Sequence, residues 1–328
     1  MYSIAAKTIK IMAILSKRHR RIPQTGRYAN ILMDETFKVV LCNPENEQLL
    51  KEIIELLIPG KRIDKLVLRD KEHHGFALSD KNVTFDLYCT DDNGEQFIVE
   101  MQHSKQHSYA DRMLCYATYP IRTQLSEKVR AYRGSLMSRL LGRKPKGKMD
   151  YKLMPVYVVS IVNFSLEHDG AEALEEGGLV SRYEIRNAGS GELMTDALHF
   201  VYLELGRLDI GKDEPQRCRT LMEKFAWSLK YMHELEERPA GFAETVLGLL
   251  YSATEFANMS IGRQEQYYKI MTTQIDIIAQ QEYAREEGRE EGIAQRNIEI
   301  ARQMLAEGLS VELIARVTGL SEEEIKRI

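Results

Sequence analysis

Hydrophobic and polar residues follow two different periods along this chain, and the changes between them outline its elements. Between residues 46 and 58 apolar positions recur at helical spacing, which predicts a helix that stops at Pro59. Between residues 83 and 102 they alternate, which predicts a β-hairpin. Residues 155–164 are almost continuously apolar, as in a strand covered on both faces. Further predicted elements are a short helix capped by Asp34 and broken near Pro44, a strand at 66–69, a helix at 106–125 that Pro120 kinks or ends, a loop within 126–148, and a strand at 197–205.

From about residue 213 the pattern becomes helical throughout. Ser310 and Ser321 are expected to cap two short helices around Gly319, the outline of a helix-turn-helix. The second helix begins with three glutamates, which repel phosphate, so we expect this tail to serve packing or self-association rather than DNA reading. The longer predicted helices are 215–236, 241–257 and 262–307, the last interrupted at 286–292.

The order of these elements indicates a mixed α/β core followed by an all-helical C-terminal region. The predicted division is a basic N-terminal arm at 1–26, an α/β core at 27–208, a helical domain at 209–280 and a charged, helix-turn-helix-like tail at 281–328.

The register of the hairpin decides which side chains share a face. A two-residue Asn-Gly turn would place Asp86 and Glu100 on opposite faces. A three-residue loop with a left-handed Gly94 brings the apolar sets of both strands to one face and pairs Asp91 with Glu95. We therefore predict the three-residue loop, which sets Asp86 directly across from Glu100, with the Cβ atoms about 5 Å apart.

Two carboxylates at that distance repel each other, and Gln102 lies two residues further along the same face. A divalent cation between them removes the repulsion, and oxygen ligands suit Mg²⁺ or Mn²⁺. A polar outer face, on which water screens both charges, explains the same alternation. Both interpretations are open at this point.

Composition narrows the class of protein. A chain of 328 residues with 44% hydrophobic and 29% charged residues is typical of globular proteins. The net charge of −4 means that any nucleic-acid-binding surface must be local, and residues 126–148 hold such a basic cluster. The chain has no apolar run near the roughly 20 residues that span a membrane. Its four scattered cysteines favour a reducing compartment, so we expect a cytoplasmic protein.

Other chemistry has little support in the sequence. It contains no phosphate-binding or dinucleotide-binding glycine motif and no nucleophile elbow, so we expect no nucleotide cofactor. His103 and His107 have a spacing that binds zinc on a helix, but they follow a strand and lack a third ligand in register.

Four segments together carry a family resemblance. They are RYANILMDETFKVV, VTFDLYCTDDNGEQFIVEMQ, YADRMLCYATYPIRTQ and KLMPVYVVSIVNF. In this order they resemble the Rpn family of recombination-promoting nucleases and transposases, a branch of the PD-(D/E)XK superfamily. The likeness extends from about residue 28 to the C-terminus, and the FDxYC…FIVEMQ block is its most specific part. It implies a restriction-endonuclease-like core, a mixed sheet flanked by helices.

The resemblance implies a set of site residues. Asp86 and Glu100 would bind Mg²⁺ (or Mn²⁺), with the Met101 backbone carbonyl as a further ligand. Gln102, which stands where the wider superfamily has lysine, completes the catalytic set; it can hydrogen-bond but supplies no charge. Asp34 and Lys38 match the family's D-x-x-F-K segment, and Arg112 matches an arginine that could contact phosphate. The alternatives are a helix cap for Asp34, a surface lysine for Lys38 and a structural ion pair for Arg112.

The first functional hypothesis is a Mg²⁺-dependent DNA endonuclease with little sequence preference, connected with recombination. The alternative is an inactive nuclease-fold protein that binds DNA or serves assembly. DNA is the expected partner in both, and cutting both strands with one metal site per chain would favour a homodimer. The expected phosphate contacts come from the basic cluster: Arg130, Arg133, Arg143, Lys144, Lys146 and Lys148.

Overall fold

The structure of the protein is a computed structural model that describes residues 26–69, 72–73, 83–140, 150–166 and 178–328. The chain forms two compact units, Met1–Gln264 and Glu265–Ile328. Most of the predicted basic arm lies outside the described residues, and the four-part division made from the sequence stays a prediction. None of the helices that the structure describes is long and apolar enough to cross a membrane.

The first unit is built on a mixed sheet of six strands, which confirms the predicted fold class. The strands of the chain are β1 (Leu66–Leu68), β2 (Glu72–His73), β3 (Val83–Thr84), β4 (Leu87–Asp91), β5 (Gln96–Gln102), β6 (Val156–Val162), β7 (Val180–Glu184) and β8 (Leu198–Glu204). The order in the sheet is β1-β4-β5-β6-β8-β7. The central pairs β5–β6 and β6–β8 are parallel and the other pairs are antiparallel.

The described α-helices stand before, between and after these strands along the chain. They are α1 (Asp34–Leu41), α2 (Glu47–Leu57), α3 (Tyr109–Leu140), α4 (Leu221–Tyr231), α5 (Thr245–Thr254), α6 (Ile261–Ala306), α7 (Val311–Thr318) and α8 (Glu322–Ile325). Short 3₁₀ turns occur at Pro44–Asn46, Leu205–Arg207, Pro215–Arg217, Met232–Glu234 and Phe256–Asn258.

The β4–β5 hairpin has the predicted register. Leu87 pairs with Val99, and the Asp91 N–H donates to the Glu95 carbonyl across the loop. Gly94 has a φ of +85°, the left-handed conformation that the three-residue loop needs. The ladder is shorter than expected, because β3 pairs with β2 in a separate two-stranded sheet and the chain bends at Asp86 before β4 begins.

Both faces of the hairpin are covered, so the solvated outer face considered from the sequence is wrong. Every residue of β4 is buried, and Glu100 is only 1% exposed. The face that carries Glu100 also carries Ile98, which packs in one core cluster with Tyr109 and Met113 of α3. A long helix therefore covers the strand positions that the alternation alone assigned to water.

Several local predictions are corrected by the structure. Asp34 is the first residue of α1 and not its cap, because Met33 stands at the cap position. Pro120 lies inside α3, which continues to Leu140 and occupies much of the predicted loop. The glycine-containing segment 286–292 lies within α6 without ending it, and β7 was missed.

The second unit ends in the two short helices that the sequence predicted. Ser310 accepts a hydrogen bond from the Leu313 N–H, and Ser321 forms a capping box with Glu324. Gly319 ends α7 with a φ of +72°. Ala301, Ile314 and Ile325 form the buried core of this part.

Candidate active site

The predicted site residues come from three parts of the fold. Asp86 lies in the bend before β4, and Glu100 to Gln102 form the end of β5. α1 contributes Asp34 and Lys38, and the first turn of α3 contributes Arg112. The structure brings all of these residues together, although α2 and the strands β1 to β5 lie between Asp34 and Arg112 along the chain.

Asp86 and Glu100 hold each other through reciprocal hydrogen bonds. The Asp86 N–H donates to Glu100 Oε1 at 3.0 Å, and the Met101 N–H donates to Asp86 Oδ2 at 2.9 Å. Asp86 stands outside the strand ladder, so its N–H is available to a side chain. We call this arrangement the carboxylate clasp. It fixes one oxygen of each acid to the backbone.

The other oxygen of each acid faces a cation. Asp86 Oδ1 lies 3.1 Å from the Lys38 ammonium, which also contacts Asp34 Oδ2 at 2.8 Å. Glu100 Oε2 lies 3.6 Å from Arg112 Nη2, a looser ion pair. Three acidic side chains thus meet two basic ones, which leaves the group with a formal excess of one negative charge.

Burial makes full ionisation of the two central acids unfavourable. Desolvation, reinforced by the charge of Asp86, raises the pKa of Glu100 to about 8. Desolvation also raises the pKa of Asp86 to about 6, although the Met101 N–H and the charge of Lys38 oppose it. Burial works to lower the pKa of Lys38, but Asp34 and Asp86 together raise it above its usual value. A divalent cation would relieve the repulsion between the acids.

Gln102 is tied to Arg112 rather than to the carboxylate clasp. Its Nε2 donates to the Ser104 carbonyl at 3.0 Å, and its Oε1 accepts from Arg112 Nη1 at 3.4 Å. Arg112 also donates to Gln106 at 2.7 Å and lies over the ring of Tyr116. Tyr116 is half-buried beneath this guanidinium, so it supports Arg112 in addition to packing in the core.

Two hydroxyls beside Glu100 were not predicted. Ser160 of β6 is paired with Glu100 across the sheet. Burial raises the pKa of the Tyr109 phenol of α3; the nearby Ser160 hydroxyl opposes this shift, and the charge of Glu100 adds to it. Neither hydroxyl makes a hydrogen bond of good geometry to the described residues. A serine inside the apolar run of β6 was the signal for Ser160, while Tyr109 required knowledge of how α3 packs.

The donor set fits a hard divalent cation. The clasp presents one oxygen of Asp86 and one of Glu100, and the described residues hold no group of three or more histidine, cysteine, aspartate or glutamate side chains suited to a metal. Mg²⁺ is commonly held by one or two carboxylates and completes its shell with water, whereas structural zinc needs more protein ligands. The buried hydroxyls of Tyr109 and Ser160, which have no hydrogen bond of good geometry to the described residues, are suitable partners for such waters.

The remaining predicted residues lie away from this centre. Arg130 and Arg133 are exposed on α3. Arg143, Lys144, Lys146 and Lys148 lie outside the described residues. His103 and His107 lie in the loop before α3, so their spacing does not place them on one face of a helix.

Comparison with known families gives two matches. The family model described as PD-(D/E)XK nuclease family transposase matches residues 31–284, most of the chain. The model described as Rpn/YhgA-like nuclease family, C-terminal HTH domain matches residues 294–328. No curated protein and no solved structure matches the chain.

Proposed function

The chain belongs to the PD-(D/E)XK nuclease family transposase group, which confirms the resemblance to Rpn nucleases, and on that premise we propose that it is a metal-dependent DNA endonuclease. The proposed reaction is hydrolysis of phosphodiester bonds with little sequence preference, in the context of recombination. The observation that carries the proposal is the carboxylate clasp, in which two buried acids are joined through backbone hydrogen bonds and each has its second oxygen beside a basic side chain.

Asp86 and Glu100 are the proposed ligands of Mg²⁺ or Mn²⁺, and the carbonyl of Met101 is a further proposed ligand. The bound ion would polarise the scissile phosphate and lower the pKa of an attacking water. The clasp keeps both acids in place before the ion arrives, so little conformational freedom is lost on binding.

Arg112 is the proposed phosphate contact at the site. Its guanidinium already has partners on Glu100 and Gln102, and it is held against the faces of Tyr109 and Tyr116. Arginine provides several donors in a fixed plane, which suits a phosphate oxygen. Gln102 then orients Arg112, a role that needs hydrogen bonding and no charge.

The proposed DNA path leaves the site along α3. Arg130 lies five helical turns after Arg112, roughly 27 Å further along the axis and on the same side of the helix. Arg133 follows one turn later and is also exposed. Arg143, Lys144, Lys146 and Lys148 lie outside the described residues, and their proposed contacts to DNA rest on the sequence alone. Exposed arginines along a helix supply contacts to phosphate that are independent of sequence.

We further propose that two copies act together in the cytoplasm. Each chain offers one carboxylate clasp, so cutting both strands of a duplex calls for a second copy. None of the four cysteines, all of which lie in the described residues, forms a disulfide, in keeping with a reducing compartment. The C-terminal HTH match agrees with the predicted helix-turn-helix outline; its use in packing rather than DNA reading stays a prediction, based on the three glutamates that begin α8.

Nicking of supercoiled plasmid tests the proposal. With Mg²⁺ or Mn²⁺ we expect the wild type to nick DNA, and Asp86→Ala to lose about a thousandfold in rate because a metal ligand is gone. Asp92→Asn, which changes an exposed acid in the loop of the same hairpin, is the matched control and should keep full activity.

Equal rates for the wild type and Asp86→Ala would refute the assignment of Asp86. Binding of plasmid without nicking under any divalent cation would instead support the inactive DNA-binding alternative.

A further inference from the structure

Lys38 joins an acid inside the site to an acid at its rim. Its ammonium lies 3.1 Å from Asp86 Oδ1 and 2.8 Å from Asp34 Oδ2. Asp86 is nearly buried, while the Asp34 side chain is about half exposed. The ammonium is therefore shared between two carboxylates that differ in their access to water.

The ammonium of Lys38 contacts the oxygen of Asp86 that a metal ion would bind. The Met101 N–H holds Asp86 Oδ2, so Oδ1 is the oxygen of Asp86 that is left for a cation. Lys38 contacts that atom. Two cations cannot share one buried carboxylate oxygen without strong repulsion, so binding of a divalent ion there requires Lys38 to give up Asp86.

Asp34 offers Lys38 a second partner. The two residues are one helical turn apart on α1, and the contact between them is already formed. Lys38 can thus release Asp86 and remain paired. The ammonium then stays at the edge of the site, where Gln102 contributes no positive charge.

We propose that Lys38 is a positioning residue that passes from Asp86 to Asp34 when a divalent cation binds. It neutralises Asp86 in the metal-free protein, and Asp34 retains it beside the site in the metal-bound protein. This inference rests on the proposed metal site at Asp86 and Glu100, and it deepens that proposal by adding a cation that competes with the metal.

Calorimetric titration of the full-length protein with Mn²⁺, without DNA, measures the competition directly. Lys38→Met should bind Mn²⁺ about tenfold more tightly, because the competing charge is removed. Asp34→Asn should bind it more weakly, because Lys38 then has Asp86 as its remaining carboxylate partner. Opposite shifts from the two members of one ion pair are not expected of a purely structural contact.

Lys51→Met is the matched control. Lys51 forms an ion pair with Glu47 of the same i, i+4 spacing, 2.9 Å long, on α2 and away from both site acids. Its removal should leave Mn²⁺ affinity unchanged. If Lys38→Met does not fold, as judged by circular dichroism, Lys38→Gln removes the charge and keeps a hydrogen-bond donor for Asp86, and it should also bind Mn²⁺ more tightly.

The double variant Lys38→Met/Asp34→Asn separates an indirect role of Asp34 from direct ligation. If Asp34 acts through Lys38, the double variant matches Lys38→Met. A double variant that binds more weakly than Lys38→Met would mean that Asp34 acts on the metal without Lys38, as a ligand or through its charge, and would overturn the exchange.

The exchange of Lys38 is also refuted, while the proposed metal site stands, if Asp86→Ala loses Mn²⁺ binding but Lys38→Met binds Mn²⁺ as the wild type does or more weakly. If neither the wild type nor Lys38→Met binds Mn²⁺, the proposed metal site itself is wrong, and the exchange falls with it.

Discussion

Glu100 of β5 and Glu204 of β8 are both buried glutamates near the C-terminal ends of the two strands that flank β6, yet their surroundings differ in kind. Glu204 Oε2 accepts from Arg207 Nε at 2.9 Å and from the Leu166 N–H at 2.7 Å, and its Oε1 accepts from Ser181. Glu100 accepts one backbone N–H, faces a second carboxylate, and has its arginine at 3.6 Å. Burial alone therefore does not distinguish a structural acid from a functional one.

The difference lies in how completely the negative charge is compensated. Each oxygen of Glu204 has a donor within hydrogen-bond range, so its charge is stabilised in the folded protein itself. Glu100 is close to Asp86, and the carboxylate clasp is stable only because backbone donors and two shared cations offset part of the repulsion. A buried acid with an uncompensated charge is suited to binding a further cation.

Removing the charge of Glu204 or of Glu100 gives the largest expected difference in the free energy of unfolding. Glu204→Gln should lower the free energy of unfolding by about 3 kcal/mol, because Arg207 loses its buried partner. Glu100→Gln should leave that free energy unchanged or raise it, because the repulsion with Asp86 disappears. Urea unfolding near pH 8 in the presence of a chelator measures both, and equal losses in the two variants would remove the distinction between the acids.

Asp86 and Glu100 should also make the stability of the folded protein depend on pH. Burial raises the pKa of Asp86 to about 6 and that of Glu100 to about 8 in the folded protein, above their ordinary values. The folded protein therefore holds protons that the unfolded chain releases. The resulting stability is fully present below the ordinary carboxyl pKa values, and it is lost as the pH rises through about 6 and about 8.

Without metal, we expect the wild type to lose about 2 kcal/mol more than Glu100→Gln between pH 5 and pH 9. Urea midpoints over this range test the difference. Since Glu204→Gln keeps the clasp, it should show the wild-type dependence on pH. An identical slope in wild type and Glu100→Gln would mean that the clasp acids titrate normally.

The two serines beside these glutamates give the smallest expected effect. Ser181 donates to Glu204 Oε1 at 3.1 Å, so Ser181→Ala should cost about 1 kcal/mol of stability. The Ser160 hydroxyl is buried beside Glu100 without a well-formed hydrogen bond to the described residues, so Ser160→Ala should change stability very little. Thermal unfolding of both variants compares them, and a larger loss for Ser160→Ala would contradict the contrast.

The local parts of this structure could be predicted from the sequence. The hairpin register followed from the alternation and from Gly94, because a turn and its flanking strands fix each other. The caps at Ser310 and Ser321 followed from side chains that bond to backbone within three residues. In each case the determining residues are neighbours along the chain.

The parts that depend on distant contacts could not be predicted. Alternation cannot show that α3 covers the face bearing Glu100, because the same pattern occurs on solvated sheets. Packing also keeps Pro120 inside a helix that its own preference would end. The bridge from Lys38 to Asp86 joins two separate elements and was not predicted; the family resemblance suggested only that Lys38 lies at the site.

The carboxylate clasp closes within a short length of chain. Its two hydrogen bonds join residues 14 and 15 positions apart, so the clasp can form as soon as the two strands of the hairpin pair. Closing such a short loop loses little entropy and is fast. Lys38 lies on α1, which precedes the hairpin in the sequence, and Arg112 lies on α3, which follows it. We therefore expect the contact between Asp86 and Glu100 to form before the ion pairs with Lys38 and Arg112. During synthesis, the two acids would then be exposed to solvent until α3 packs over them.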